Sequence, residues 1–137
     1  MAHPRRPLPY LAGMRHSGAL WFLAWLGWMA ILFFLSAQEQ LPSVGSGIVW
    51  ADKALHAAAY GFLTLLSLGF VRALHVRRGA AYLSALAWSA AYGLSDEWHQ
   101  SFVPGRDADV FDWAADVATA AIVLALLALT RPGRELD

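Results

Sequence analysis

From Ala19 to Leu35 the chain carries no charged residue on any face. A helix on the surface of a water-soluble domain needs a polar side, so this segment is built for lipid. Three further apolar stretches follow: Ala54 to Val71, Gly79 to Leu94 and Phe111 to Thr130. Crossing a bilayer core takes ~20 mainly apolar residues, with ~17 as a lower limit. The first and last stretches meet that easily and the second is adequate. The third is short unless it continues through Ser95 and Asp96. Nothing alternates with period two, so strands closing into a barrel are not expected. Composition agrees: 58% of the 137 residues are hydrophobic and 15% charged, too little charge to cover a soluble surface of this size. The expectation is an all-α, four-helix transmembrane bundle in a single domain, 1–137, with helices at roughly 19–37, 54–71, 79–96 and 111–130.

Cysteine is absent, which excludes disulfides, thiolate metal sites and cysteine nucleophiles. The basic leader (Arg5, Arg6, Arg15) resembles that of a signal peptide, but the apolar region exceeds the usual ~7–15 residues, so a retained anchor is expected. Met1 to Leu11, with three prolines, reads as a tail or interfacial segment.

Charge distribution sets the expected threading. Arg5, Arg6 and Arg15 precede the first helix; Arg72, Arg77 and Arg78 separate the second and third; Arg131 and Arg134 follow the fourth. In a four-span chain all three sets share one side, and the positive-inside rule makes it the cytoplasm, with both termini. Lys53 and Arg106 are the exceptions. Glu39, Asp52, Asp96, Glu97, Asp107, Asp109, Asp112 and Asp116 all fall on the opposite side. Several of them sit at helix ends or inside apolar segments. An ionised carboxylate at a helix centre costs ~2.5–3.5 kcal/mol on insertion scales, so these acids need partners or water.

Three polar elements are expected to face one another there. Asp52, His56 and Tyr60 are spaced i, i+4, i+8 at the start of the second helix, and Lys53 joins His56 at i+3. Ser95-Asp96-Glu97-Trp98-His99-Gln100 ends the third helix, where adjacent carboxylates oppose the helix dipole by ~0.3–1 kcal/mol each. Crowding there raises the pKa of one carboxyl, which is how a general acid or base is made. In the third element Pro104-Gly105 makes a turn that folds Arg106 back toward the helices. Asp109, Asp112 and Asp116 then share one face of the fourth helix; capping explains one of the first two, while Asp116 lies a turn deeper.

At these residues the chain resembles the VanZ-like family. The matching pieces are Asp52-Lys53-x-x-His56-x-x-x-Tyr60 and Asp96-Glu97-x-x-Gln100-x-Phe102-Val103-Pro104-Gly105-Arg106, then Asp109-x-x-Asp112, with Leu35-Ser36-Ala37-Gln38 after the first helix. The resemblance spans roughly Leu20 to Leu127, and its second motif is long and specific. It departs at Asp116, where the family usually has asparagine. The resemblance implies a multi-pass bacterial inner-membrane protein of a family whose namesake is linked to low-level teicoplanin resistance. It implies no settled biochemical activity.

Two functional readings remain. In the first, an enzyme or lipid-handling protein acts at the outer membrane–water boundary on an anionic lipid-linked substrate. Lys53 and Arg106 would hold the head group, with Gln100 and Tyr60 beside it. Asp96 or Glu97 would act as acid or base, His56 as proton shuttle or nucleophile, Asp52 as its orienter, and Asp109, Asp112 and Asp116 in support. Carboxylates and imidazole suit hard or borderline cations, so Asp96, Glu97, Asp112 and His56 offer donors for a divalent metal, although no spacing among them is diagnostic and no metal ligand is assigned. In the second reading the same residues form a structural interhelical network in a binding or scaffold protein, with Ala57, Ala58, Ala59, Gly61, Ala114, Ala115 and Ala118 as close-packing faces. A transporter is disfavoured, because no acid lies at mid-membrane and no inverted repeat appears.

No nucleotide fingerprint is present, and the expected partners are membrane lipids rather than nucleic acid. Trp50, Trp98 and Trp113 fall at the expected outer interface. Trp21, Trp25 and Trp28 read as packing or lipid-facing residues, with Gly27 and Gly69 permitting close approach or a mild kink.

Overall fold

The computed structural model describes the backbone of residues 9–38, 49–106 and 108–130, and side chains from 18, 54 and 108 onward within those segments. The described residues form four helices and no strand: α1 (Pro9–Ser36), α2 (Val49–Ala73), α3 (Arg78–Gln100) and α4 (Val110–Thr130). Each runs past the apolar stretch that announces it. A helix of 21–28 residues is longer than a bilayer core requires, and its polar ends meet the interface. α1 thus begins at Pro9, inside the segment expected to be a tail, and α3 continues through Asp96 and Glu97 to Gln100.

α2 is the central helix and packs against the other three. α3 fills the space between α2 and α4 and touches α1 more lightly; among the described residues α1 and α4 do not meet. The reason lies on α3, whose buried face reads Ala81, Ala85, Ser89, Gly93, then Asp96, Glu97 and Gln100. Small residues four apart let a helix approach its neighbours closely. This corrects part of the expected packing faces: Gly61 is buried and Ala57 and Ala59 half-buried, with Ala59 on the α1–α2 core, but Ala58, Ala114, Ala115 and Ala118 point outward. On α4 the buried positions are instead Asp116, Ala120 and Leu124.

One apolar cluster joins α1 to α2 through Trp25, Leu32, Tyr60, Leu63 and Leu66, and another gathers Leu68, Val71, Ala81, Ala85 and Leu124. Most large apolar side chains nevertheless face outward, including Leu20, Phe34, Phe111, Ile122 and Leu129. Three helices are long and apolar enough to cross a membrane, at Gly18–Ser36, Ala54–Ala73 and Val110–Thr130. An outside this apolar around an interior this polar suits lipid as solvent. Trp25 and Trp28 act in packing, their indole N–H groups donating to Ser67 Oγ and to Ala59 O, each at 3.0 Å. Gly69 lies flat against the Trp21 ring, which any Cβ at that position would overlap, whereas Gly27 has open space.

Contacts between helices fix which ends lie together. The end of α1, the start of α2, the end of α3 and the start of α4 share one end of the bundle, as the Arg106–Leu35, His56–Asp116 and Tyr60–Asp96 contacts require. Arg72, Arg77 and Arg78 lie at the opposite end, where Arg78 Nη2 reaches Ala128 O at 3.4 Å. Among the described residues Asp96, Glu97, Asp112, Asp116 and Arg106 therefore stand apart from the arginines of the α2–α3 turn.

Candidate functional site

Asp96 is the hub of the acid-rich end. It is 6% exposed, and its Oδ2 accepts from the Tyr60 hydroxyl at 2.9 Å and from Gln100 Nε2 at 3.1 Å. The i, i+4 spacing of Asp96 and Gln100 supplies the second contact, and α2–α3 packing supplies the first. Tyr60 and Gln100, expected beside a head group, thus both commit their donors to Asp96. Deeper along the same seam, Thr64 Oγ1 and Ser89 Oγ lie 3.0 Å apart, so the α2–α3 contact is polar well below the bundle end.

His56 meets Asp116 across the α2–α4 interface, its Nδ1–H donating to Oδ1 at 2.8 Å. The two differ sharply in burial: the His56 side chain is 38% exposed and that of Asp116 2%. Asp116, expected only in support, is therefore the carboxylate that orients the imidazole. Asp52 and Lys53 stand in the first turn of α2, and their side chains lie outside the described residues, as does Asp107.

Gly93 makes the convergence possible. A Cβ there would lie 3.3 Å from both Trp113 Cδ1 and Tyr60 Cε1 and 3.5 Å from Asp116 Oδ2. Sequence reasoning passed over Gly93, although the four-residue spacing from Ala81 through Ala85 and Ser89 was there to find it. Trp113, expected at the outer interface, donates its indole N–H to Ala90 O at 2.9 Å and tethers α4 to α3.

Glu97 serves the start of α4. Its Oε2 accepts from the backbone N–H of Asp109 at 2.8 Å, and Asp109 Oδ1 in turn accepts from Phe111 N at 2.8 Å. Asp109 is therefore the capping residue that the sequence called for at this end. Burial pushes the Glu97 carboxyl above the usual range, and Asp112 and Asp96 act in the same direction; the Asp109 N–H and His56 oppose them. A carboxyl raised in the fold favours the protonated form. Its stabilising contribution is complete below the unfolded-state pKa and is lost as pH rises through the folded value. Glu97→Gln keeps an oxygen for the Asp109 N–H but cannot ionise. Thermal denaturation in detergent across the acidic range should show a smaller loss of stability with rising pH in this variant than in the parent.

Arg106 reaches back to α1, its Nη2 donating to Leu35 O at 3.4 Å, a long contact. A cation at a helix C-terminus is well placed with respect to the dipole. The guanidinium is otherwise underused, since Nε is buried with no partner among the described residues. Ser36 Oγ, Asp96 Oδ1, His99 Nε2 and Asp116 Oδ2 share that condition. All five atoms belong to the same end of the bundle. Ser36 lies in the segment that carries the family resemblance, but neither it nor His99 was singled out for a site.

An open cleft of about 390 Å³ lies beside this cluster, between the ends of α1 and α3, with Asp96 in its wall. No three His, Asp or Glu side chains among the described residues gather closely enough to hold a metal ion, so the donor set of Asp96, Glu97, Asp112 and His56 is not assembled.

Fold and site together define a helical-bundle membrane protein with a buried polar cluster at one end. The sequence profile of the VanZ/LLP1 family matches residues 20–131, and the chain belongs to that family. No curated protein and no solved structure matches the chain.

Proposed function

We propose that this protein binds the anionic head group of a cell-envelope lipid at the acid-rich end of its bundle, on the outer side of a bacterial inner membrane. The observation that carries the reading is Arg106 Nε, a donor buried with no partner among the described residues, with Ser36 Oγ and His99 Nε2 in the same condition at that end of the bundle. A buried polar group left unpaired costs ~1–3 kcal/mol, and a guanidinium more, which an incoming phosphate or carboxylate relieves. Lys53 is the second cation assigned to that end by the sequence. His56, held by Asp116 and open on its other side, is the group able to exchange a proton with a bound head group. Through the bound lipid the protein would bear on susceptibility to glycopeptides such as teicoplanin.

The test is the lipid retained by gently purified protein, read by native mass spectrometry. Arg106→Ala should lose one anionic lipid class selectively, by roughly tenfold or more, the scale of one charge-assisted contact. An unchanged lipid profile in a folded Arg106→Ala protein would remove the reading.

A structural role is the second reading, favoured by the interhelical bonds Tyr60–Asp96, Thr64–Ser89 and Trp113–Ala90. The two separate on one comparison. Glu97→Gln and His56→Ala variants that stay folded but lose a teicoplanin-susceptibility phenotype exclude the purely structural role. Phenotype lost only in step with fold excludes the binding role.

A further inference from the structure

The cleft between α1 and α3 has a chemistry of its own. Its walls are the aromatic rings of Phe33, Tyr92, Trp98 and Phe102, with His99 and Asp96 between them. The Phe33 and His99 rings lie 4.5 Å apart, and Trp98 meets Phe102 edge-on at 5.5 Å. Trp98 and Phe102 are 69% and 68% exposed, so the cleft can be reached from outside the bundle. Among the described residues no lysine or arginine lines it. Its charged feature is Asp96, whose Oδ2 is saturated by Tyr60 and Gln100 while Oδ1 has no partner among the described residues; His99, whose Nε2 is likewise unpartnered among them, packs on Phe33 beside it.

Rings around a carboxyl group are an arrangement that selects for positive charge. The faces of tryptophan, tyrosine and phenylalanine attract an alkylammonium within ~6 Å of the ring centroid, most strongly where water is excluded. The carboxylate supplies the compensating charge, and the volume falls in the ~300–1,000 Å³ range of small-ligand sites. An anion would meet π-faces and an acid, with the His99 ring alone to receive it.

We propose that this cleft is an ammonium-binding site that receives the charged amine of a zwitterionic membrane phospholipid. It is distinct from the Arg106 contact and does not depend on the anionic reading. The lipid source follows from the setting: Trp98 stands exposed on α3 one turn beyond exposed Leu94, with exposed Phe102 just past the helix end, where a lipid's acyl chains would lie.

The experiment uses the full chain in nanodiscs of equal phosphatidylethanolamine and phosphatidylglycerol, with bound lipid read by native mass spectrometry. The parent should retain phosphatidylethanolamine over phosphatidylglycerol. Trp98→Ala, an exposed position that leaves the fold intact, should reduce that enrichment roughly 2- to 30-fold, the range set by a cation–π contact. Asp96→Asn, which keeps an oxygen for Tyr60 and Gln100, should do the same, with circular dichroism confirming its fold. Trp98→Ala should still retain the Arg106-dependent anionic lipid, so failure of one reading cannot pass for failure of the other. A soluble probe, tetramethylammonium, distinguishes the source: quenching of Trp98 without lipid enrichment would overturn the lipid assignment. Equal retention of both lipids, or enrichment that survives both substitutions, would overturn the site.

Discussion

Asp96→Ala is expected to destabilise the bundle by about 3–5 kcal/mol, because it strands two donors at once. Tyr60 is 1% exposed and its hydroxyl has Asp96 Oδ2 as its acceptor, and Gln100, which donates to the same oxygen, is 8% exposed. In lipid neither donor can turn to bulk water, so each carries its own desolvation penalty. Asp96→Asn should cost less than ~1 kcal/mol, since the amide oxygen still accepts from both. Unfolding in mixed micelles of increasing denaturing detergent measures the pair. Equal losses for the alanine and asparagine variants would mean that Asp96 does not organise this end of the bundle.

The second large effect is an asymmetry. Removing either partner of the His56–Asp116 pair breaks the same 2.8 Å contact, but the residue left behind differs. Asp116→Ala leaves an imidazole that is 38% exposed and can donate its Nδ1–H to water, a loss of about 1 kcal/mol. His56→Ala leaves a carboxyl at 2% exposure with no partner, a loss of about 3 kcal/mol or more. The double variant should be more stable than His56→Ala alone, because it removes the stranded acid. A double-mutant cycle measured by the same detergent titration gives all three values. Equal costs for the two single variants would contradict the burial difference on which the argument stands.

That pair also shows where reading the chain residue by residue ran short. Along α2, Asp52 is the natural partner for His56 at i, i+4, and the spacing offers no hint that a residue 60 positions away takes the contact. Asp116 stands out in the sequence as an acid a turn too deep for capping and as the departure from the family's usual asparagine, and neither feature names its partner. The same limit hid Gly93. A glycine inside an apolar helix reads as a flaw until Tyr60, Trp113 and Asp116 are seen to converge on it. The alanines of α2 and α4 misled in the opposite direction. Small residues at helical spacing are needed for close packing, but several helices carry them, and only the assembled bundle selects the α3 row.

What the sequence determined by itself is everything that solvent preference controls. The apolar stretches must leave water, a backbone in lipid must satisfy its own hydrogen bonds, and helices result; the motifs around His56, Asp96 and Arg106 placed the chain in its family. The capping of α4 by Asp109 was legible too, because a cap is a local contact. Tertiary structure alone decided which donor meets which acceptor: Tyr60 with Asp96, His56 with Asp116, Glu97 with the start of α4. Those pairings depend on how helices rotate about their axes when they pack. That rotation is set by the bulk of side chains on every face at once, so a periodic row of small residues in one helix, such as that of α3, does not by itself say which neighbour it will meet.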